Sequence, residues 1–284
     1  MNALVIPVVS FAPGLFWLWF FTRVSRYHPA PRRLIVWSFA LGMASTIPVG
    51  IIYGIVGLED LYYPGAPLTL TAFVMFGIVG PVEETCKFLA VRWFAYRSPW
   101  FDQPMDGLVF AAAASLGFAS LENVGYVLLY GPWVMLIRAP LSTVGHLIMG
   151  SLWGYALGLR HAGADVSVVW RGLALAALLH GLYNVSNDLP GGPLWAVLII
   201  LVGGVMAYRQ FRLAEGSSPF RYRRNVPLIL CPRCQTPTRV VNNYCNACGA
   251  RVMVTPDAVM ICGNCRRPGP PRAYCGGCGD RLLY

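Results

Sequence analysis

The sequence predicts an all-α fold: a polytopic bundle of about seven transmembrane helices, followed by a small cytoplasmic domain organised by cysteines. Three observations predict it. Of 284 residues, 56% are hydrophobic and only 12% charged, where soluble domains carry about 25% charge. Apolar runs of about 20 residues, enough to cross a bilayer, recur as far as Leu213. Beyond Leu213 the composition turns polar and basic, and eight of the nine cysteines lie there. These shifts divide the chain into a membrane domain 1–213, a basic linker 214–230 and a cysteine-rich domain 231–284.

The runs are 3–22, 34–57, 67–95, 107–130, 136–158, 168–188 and 193–211. The first lacks a basic stretch before it and has Arg23 and Arg26 after it, which argues against a cleaved signal peptide. The third is long and contains Pro81, so it is expected to kink or break there. The fourth opens with AAAAS, and the fifth carries Gly150, Gly154 and Gly158 at four-residue spacing, a small-residue stripe for close helix contact. The sixth is interrupted by Arg171, His180 and Asn184. Arginines fill alternate loops: Arg23 to Arg33, Arg92 and Arg97, Arg160 and Arg171, then Arg209 onward. Only Arg138 lies near an intervening turn. The positive-inside rule then places the N-terminus outside and the tail in the cytoplasm. The net charge of +10 follows from those arginines and implies no nucleic acid.

In the tail, Cys231-x2-Cys234 and Cys245-x2-Cys248 are separated by ten residues, and Cys262-x2-Cys265 and Cys275-x2-Cys278 by nine. Each double pair places four thiolates around one tetrahedral zinc. The knuckles CPRC, CNACG, CGNC and CGGCG supply the Gly and Pro that tight turns require. A cytosolic location argues against disulfides. The pattern resembles the double zinc ribbon family over 231–279, implying two structural zinc ions. Such a short segment buries little core, so the metal is expected to hold the fold. Its arginines suit a protein partner; nucleic acid is not the expected one.

The apolar region holds an unusual set of ionisable groups. PVEETCKF contains Glu83, Glu84 and Lys87, the last being the only lysine in the chain. A charge near the bilayer centre costs about 2.5–3.5 kcal/mol on insertion scales, so stability gives no reason to keep three together. Lys87 is three and four residues from the two glutamates and reaches either on one helix face. The fourth run adds Glu122, with Phe118 on its face, the fifth adds His146, and the sixth adds His180 and Asn184 one turn apart. At about 1.5 Å per residue, Glu122, His146 and His180 fall roughly 12–15 Å from the outer ends, and Glu83 several ångströms deeper. Either the placing of the helix ends or the Pro81 break accounts for that difference.

Carboxylates with imidazoles and an amide suit the activation of water. No HExxH or GxSxG motif supports other hydrolytic plans. Glu83-Glu84-x2-Lys87, Phe118-x3-Glu122-Asn123, His146 and His180-x3-Asn184 resemble the four motifs of PrsW-family intramembrane proteases, relatives of the type II CAAX prenyl endopeptidases. The resemblance covers roughly residues 30–210. It implies a helical bundle with a water-accessible polar cavity and proteolysis of membrane-bound proteins, such as an anti-sigma factor. In the CAAX relatives the first glutamate of the pair is the presumed base, which corresponds to Glu83. Their second motif ends in histidine where this chain has Glu122, which argues against prenyl-protein processing. The expectation is a glutamic peptidase with no catalytic metal, Glu84 and Lys87 tuning Glu83, Glu122 assisting proton transfer, and His146, His180 and Asn184 holding water and oxyanion. A metal-dependent version would place zinc between the histidines and a glutamate. The alternative from another class is a non-catalytic membrane scaffold or sensor using the ribbons for interaction. A proton path is a third class, weakened by the lack of a visible inverted repeat.

Overall fold

The computed structural model describes residues 5–24, 29–218, 228–239, 244–253, 259–262, 265, 267–271 and 274–277. Two compact units result: Met1–Ser25 with Arg33–Ser217, which is helical, and a smaller one of Arg26–Arg32 with Ser218–Tyr284.

Helix α1 (Val5–Val24) is apolar on all sides. Helices α2 (Arg32–Ala44) and α3 (Thr46–Val56) together make one 25-residue apolar span, with a joint at Ser45, whose hydroxyl donates to the Gly42 carbonyl. Gly57 ends α3 in the left-handed conformation (φ 63°), which glycine adopts without a Cβ penalty. The short α4 (Leu58–Leu61) follows. The third apolar run folds as α5 (Leu68–Val74), a π turn (Met75–Val79) and α6 (Gly80–Trp93). Helix α7 (Pro104–Tyr130) starts at a reciprocal cap in which Gln103 N donates to the Asp106 carboxylate. The one-turn α8 (Met135–Arg138) meets α9 (Ser142–His161) at 44°. Helix α10 (Ser167–Ser186) begins beside Asp165, which accepts from Ser167 N; that bond holds the Asp165 carboxyl below its usual range. Helix α11 (Gly192–Gly216) closes the unit.

By length and composition, five of these helices suffice to cross a membrane, or six if α8 and α9 with the turn before them form one bent span. The expected count of about seven also included the third run. That segment is helical where expected, but it is broken at the π turn, which leaves α6 only 14 residues long with Glu83, Glu84, Lys87 and Arg92 in it, too short and too polar for an apolar span.

Helix α7 is the axis of the bundle and is buried along most of its length. Small residues permit the close crossings. Gly150 faces Ser115, Gly154 faces Ala111, and Gly158 faces Pro104, so the predicted stripe on α9 is where that helix meets α7. On the other side, Gly117 of α7 lies against the Phe39 carbonyl of α2. Outward faces carry large apolar side chains such as Ile47, Ile51 and Ile55 of α3, which suits contact with lipid tails.

The smaller unit holds a four-stranded antiparallel sheet in the order β2 (Pro237–Arg239), β1 (Leu228–Leu230), β3 (Met260–Ile261), β4 (Pro268–Gly269). Leu228 pairs with Ile261 and Ile229 with Met260, so the two cysteine motifs share one sheet. They also share one core, where Ile229, Val252 and Met260 pack among Cys231, Cys245, Cys262 and Cys275.

Candidate active site

The broken third run shapes the site. Pro81 has no N–H to continue a helix and sits in the first turn of α6. The wider π turn before it takes up the mismatch, a feature frequent at functional sites. Glu83, Glu84 and Lys87 are thereby turned inward and buried. Glu83, which counting along ideal helices put deeper, stands beside His180, with Oε2 3.6 Å from Nε2.

Glu84 is the most fully held group. Its Oε1 lies 2.7 Å from Lys87 Nζ and 2.8 Å from His180 Nδ1, and its Oε2 accepts from Trp153 Nε1 at 3.0 Å. Lys87 Nζ also lies 3.0 Å from His146 Nδ1, 3.5 Å from Glu83 Oε2 and 4.3 Å over the Phe118 ring. His146 Nε2 is 2.8 Å from Glu122 Oε2. That same oxygen is 2.9 Å from Arg138 Nη2, a charge contact without an aligned N–H. Glu83 receives the Tyr53 hydroxyl on Oε1 at 3.0 Å. The imidazole rings of His146 and His180 meet edge to face, 5.3 Å apart.

The partners set the histidine tautomers. Nδ1 of His146 faces an ammonium and Nε2 faces a carboxylate, so the two partners together hold the proton on Nε2, which donates to Glu122. His180 donates from Nδ1 to Glu84, which leaves the Nε2 lone pair facing Glu83. With neutral histidines, three carboxylates (Glu83, Glu84, Glu122) stand against two cations (Lys87, Arg138), leaving one negative charge in the layer. Glu84 and Glu122 each have an ion-pair contact under 3 Å; Glu83 does not.

Ligand atoms of Glu83, His146 and His180 lie within 4.8 Å of one another, the composition of a two-histidine, one-glutamate catalytic zinc site. Lys87 already places its ammonium among two of these three residues. The ammonium thus sits where an ion would, and these residues could converge on a metal only by displacing Lys87 from Glu83 and His146.

Six of the seven predicted residues converge: Glu83, Glu84, Lys87, Glu122, His146 and His180. The seventh, Asn184, is half-buried one turn beyond His180, and its side chain makes no hydrogen bond among the described residues. Tyr53, Trp153 and Arg138 join the layer without having been anticipated. Trp153 lies seven residues after His146, two turns along the same helix face, which is the one spacing that pointed to it.

The cysteines of the smaller unit form the second cluster. Sγ atoms of Cys231 and Cys248 are 3.7 Å apart, and those of Cys234 and Cys245 3.5 Å. A tetrahedron with metal–sulfur bonds of about 2.3 Å has edges of about 3.8 Å, whereas a disulfide needs about 2.05 Å. Cys262, Cys265 and Cys275 form the second group, with Cys265 and Cys275 3.6 Å apart; Cys278 lies outside the described residues. Backbone amides of Arg233, Ala247 and Gly277 donate to Cys231, Cys245 and Cys275, the knuckle bonding that steadies thiolate ligands. Burial pushes the Cys245 thiol up, but hydrogen bonds from Thr238, Cys248 and Ala247 bring it down to about 6. The first group offers the four thiolates of a tetrahedral metal ion, and the second offers three among the described residues.

The profile described as "PrsW family intramembrane metalloprotease" matches residues 30–208. Protease PrsW of Bacillus subtilis (strain 168) is 33% identical over 176 residues, 61% of this chain and 78% of the relative. Protease PrsW of Geobacillus kaustophilus (strain HTA426) is 30% identical over 176 residues, 61% of this chain and 75% of the relative. Protease PrsW of Clostridioides difficile (strain 630) is 19% identical over 217 residues, 74% and 88% of the two chains. No solved structure matches the chain. The matched region contains the entire buried Glu–Lys–His layer and stops short of the cysteine-rich unit. The chain is thus an integral membrane peptidase and belongs to the PrsW family of intramembrane proteases.

Proposed function

We propose that the protein hydrolyses peptide bonds of membrane-bound proteins with water activated by Glu83, an anti-sigma factor or a similar single-pass regulator being the class of substrate. The observation that carries this is the uneven commitment of the three carboxylates. Glu84 and Glu122 are tied to Lys87 and Arg138 at 2.7 and 2.9 Å, while Glu83 stands 3.5 Å from its nearest cation with His180 Nε2 at 3.6 Å. Glu83 is the carboxylate left free to accept a proton.

In the forward step the water oxygen bonds to the scissile carbonyl carbon and its proton passes to Glu83. The carbonyl electron pair becomes an oxyanion, stabilised by the Lys87 ammonium and the imidazoles. The carbon–nitrogen bond then breaks, and Glu83 returns its proton to the leaving amine. Glu84 fixes His180 and Lys87, and Glu122 holds His146 and assists proton transfer. Asn184, at the edge of the layer, is assigned to substrate or water rather than to the resting network. Lys87 supplies the positive charge that a metal would bring, which supports a metal-free reaction in a family described as metalloproteases. The alternating arginines support a tail on the cytoplasmic side, where its ribbons hold two zinc ions and meet a protein partner.

Membrane proteomes of cells expressing the wild-type chain or Glu83→Gln test this. Single-pass proteins are expected to accumulate intact with the variant, with loss of their soluble fragments. Equal proteomes at equal abundance of folded protein would sink the reading. Metal analysis adds a second check: two zinc ions per chain are expected, unchanged in His146→Ala/His180→Ala, and a third ion lost in that variant would place a metal at the site.

A further inference from the structure

We infer that Arg138 is a positioning residue for His146, acting through Glu122. It lies on the one-turn α8, outside every motif that brought the other residues together. Its Nη2 is 2.9 Å from Glu122 Oε2, the same oxygen that receives His146 Nε2 at 2.8 Å. One carboxylate oxygen thus ties the guanidinium to the imidazole.

Two contacts besides Glu122 lock the guanidinium in place. Nε donates to Asn123 Oδ1 at 2.8 Å, and Asn123 is itself fully buried, with its Nδ2 donating to Thr143 Oγ1 at 3.1 Å and to the Ser10 carbonyl at 3.5 Å. The guanidinium carbon stands 3.5 Å from the centroid of the Tyr126 ring. The side chain is only 11% exposed, against 24% for Glu122. A planar fork held on two sides and stacked on a ring loses little freedom in forming each contact, which a lysine could not match. Without Arg138, Glu122 would be a half-exposed carboxylate free to change rotamer. His146 would then lose the acceptor that keeps its proton on Nε2 and its Nδ1 turned to Lys87.

This inference deepens the reading of His146 as part of the catalytic site, and its test does not depend on cleavage. The full chain, labelled with ring-15N histidine and held in lipid nanodiscs, reports which nitrogen of each imidazole carries the proton. Comparison with His146→Gln assigns the His146 signals. In the wild type a proton on Nε2 and a bare Nδ1 are expected. In Arg138→Gln, the signals are expected to move to mixed tautomers, and millimolar methylguanidinium is expected to restore them. Arg138→Lys keeps the charge without the fork and is expected to restore them only in part; it also serves if the glutamine variant fails to fold. Unchanged His146 signals in a folded Arg138 variant would overturn the inference and reduce Arg138 to a tie between α8 and α7. On a cleavable substrate, kcat in Arg138→Gln is expected to fall on the order of 100-fold with KM nearly constant, the cost of a misplaced group. Loss of the Glu83→Gln effect, by contrast, would overturn the peptidase mechanism and leave the tautomer result standing.

Discussion

Lys87 carries the residue-scale argument. It is fully buried and reaches Glu83, Glu84 and His146, so it cannot be removed without leaving buried carboxylates unpaired. Breaking a buried pair from one side costs about 3–5 kcal/mol. Lys87→Met is therefore expected to lower the unfolding midpoint markedly, read by thermal denaturation in detergent; an unchanged midpoint would mean the ammonium is not the counter-charge of this layer. Tyr53→Phe makes a gentler change, removing one hydroxyl that donates to Glu83 and nothing else. It should fold like the wild type and lose roughly tenfold in kcat, the worth of one hydrogen bond to a charged group. The sequence exposed Lys87, the glutamate pair and the histidines because charge within an apolar run has no bland explanation. Tyr53 and Trp153 were hidden because an aromatic residue in such a run reads equally as core or as lipid contact. Arg138 was hidden as a loop charge, although it was the arginine that broke the alternation. Its pairing with Glu122 accounts for that exception.

Among the elements, periodicity and apolar length announced where helices run but not how the third would be built. Pro81 marked the break; the π turn ahead of it has no composition of its own, since MFGIV is as apolar as its neighbours. Close crossings were more legible, because small residues at four-residue spacing leave the chain few other uses. Two glycines separate crossing from mere composition. A Cβ on Gly117 would meet the Phe39 carbonyl, so Gly117→Ala must push α2 from α7 and is expected to cost about 1–3 kcal/mol. A Cβ on Gly54 would meet nothing within 4 Å, and Gly54→Ala in exposed α3 is expected to stabilise by about 0.5–1 kcal/mol. Unfolding of the pair in the same detergent decides it: equal midpoints would show that α2 yields to α7 without strain.

Across the whole molecule, two units with different physics share one chain. The helical unit owes its form to apolar surface and tight crossings around α7, and both were visible in composition. The smaller unit has strands of two or three residues, too short to stand unaided, and its cysteine spacing announced two cysteine clusters but not their union in one sheet. That union arises from the β1–β3 pairing, for which residues 228–230 and 260–261 carry no recognisable signal. It predicts that the sites fall together. Cys234→Ser/Cys248→Ser, which touches only the first site, is expected to reduce bound zinc from two ions per chain to none, measured by elemental analysis of the purified protein. One ion remaining would mean independent ribbons.

The shared sheet also dictates how the tail responds to scarcity. Independent sites would empty one after another as free zinc fell, giving a gradual, two-stage decline. Strands that lean on each other across one core are expected to give up bound zinc within a single narrow interval of its concentration. A cell would then hold this tail either whole or undone, with almost no population between.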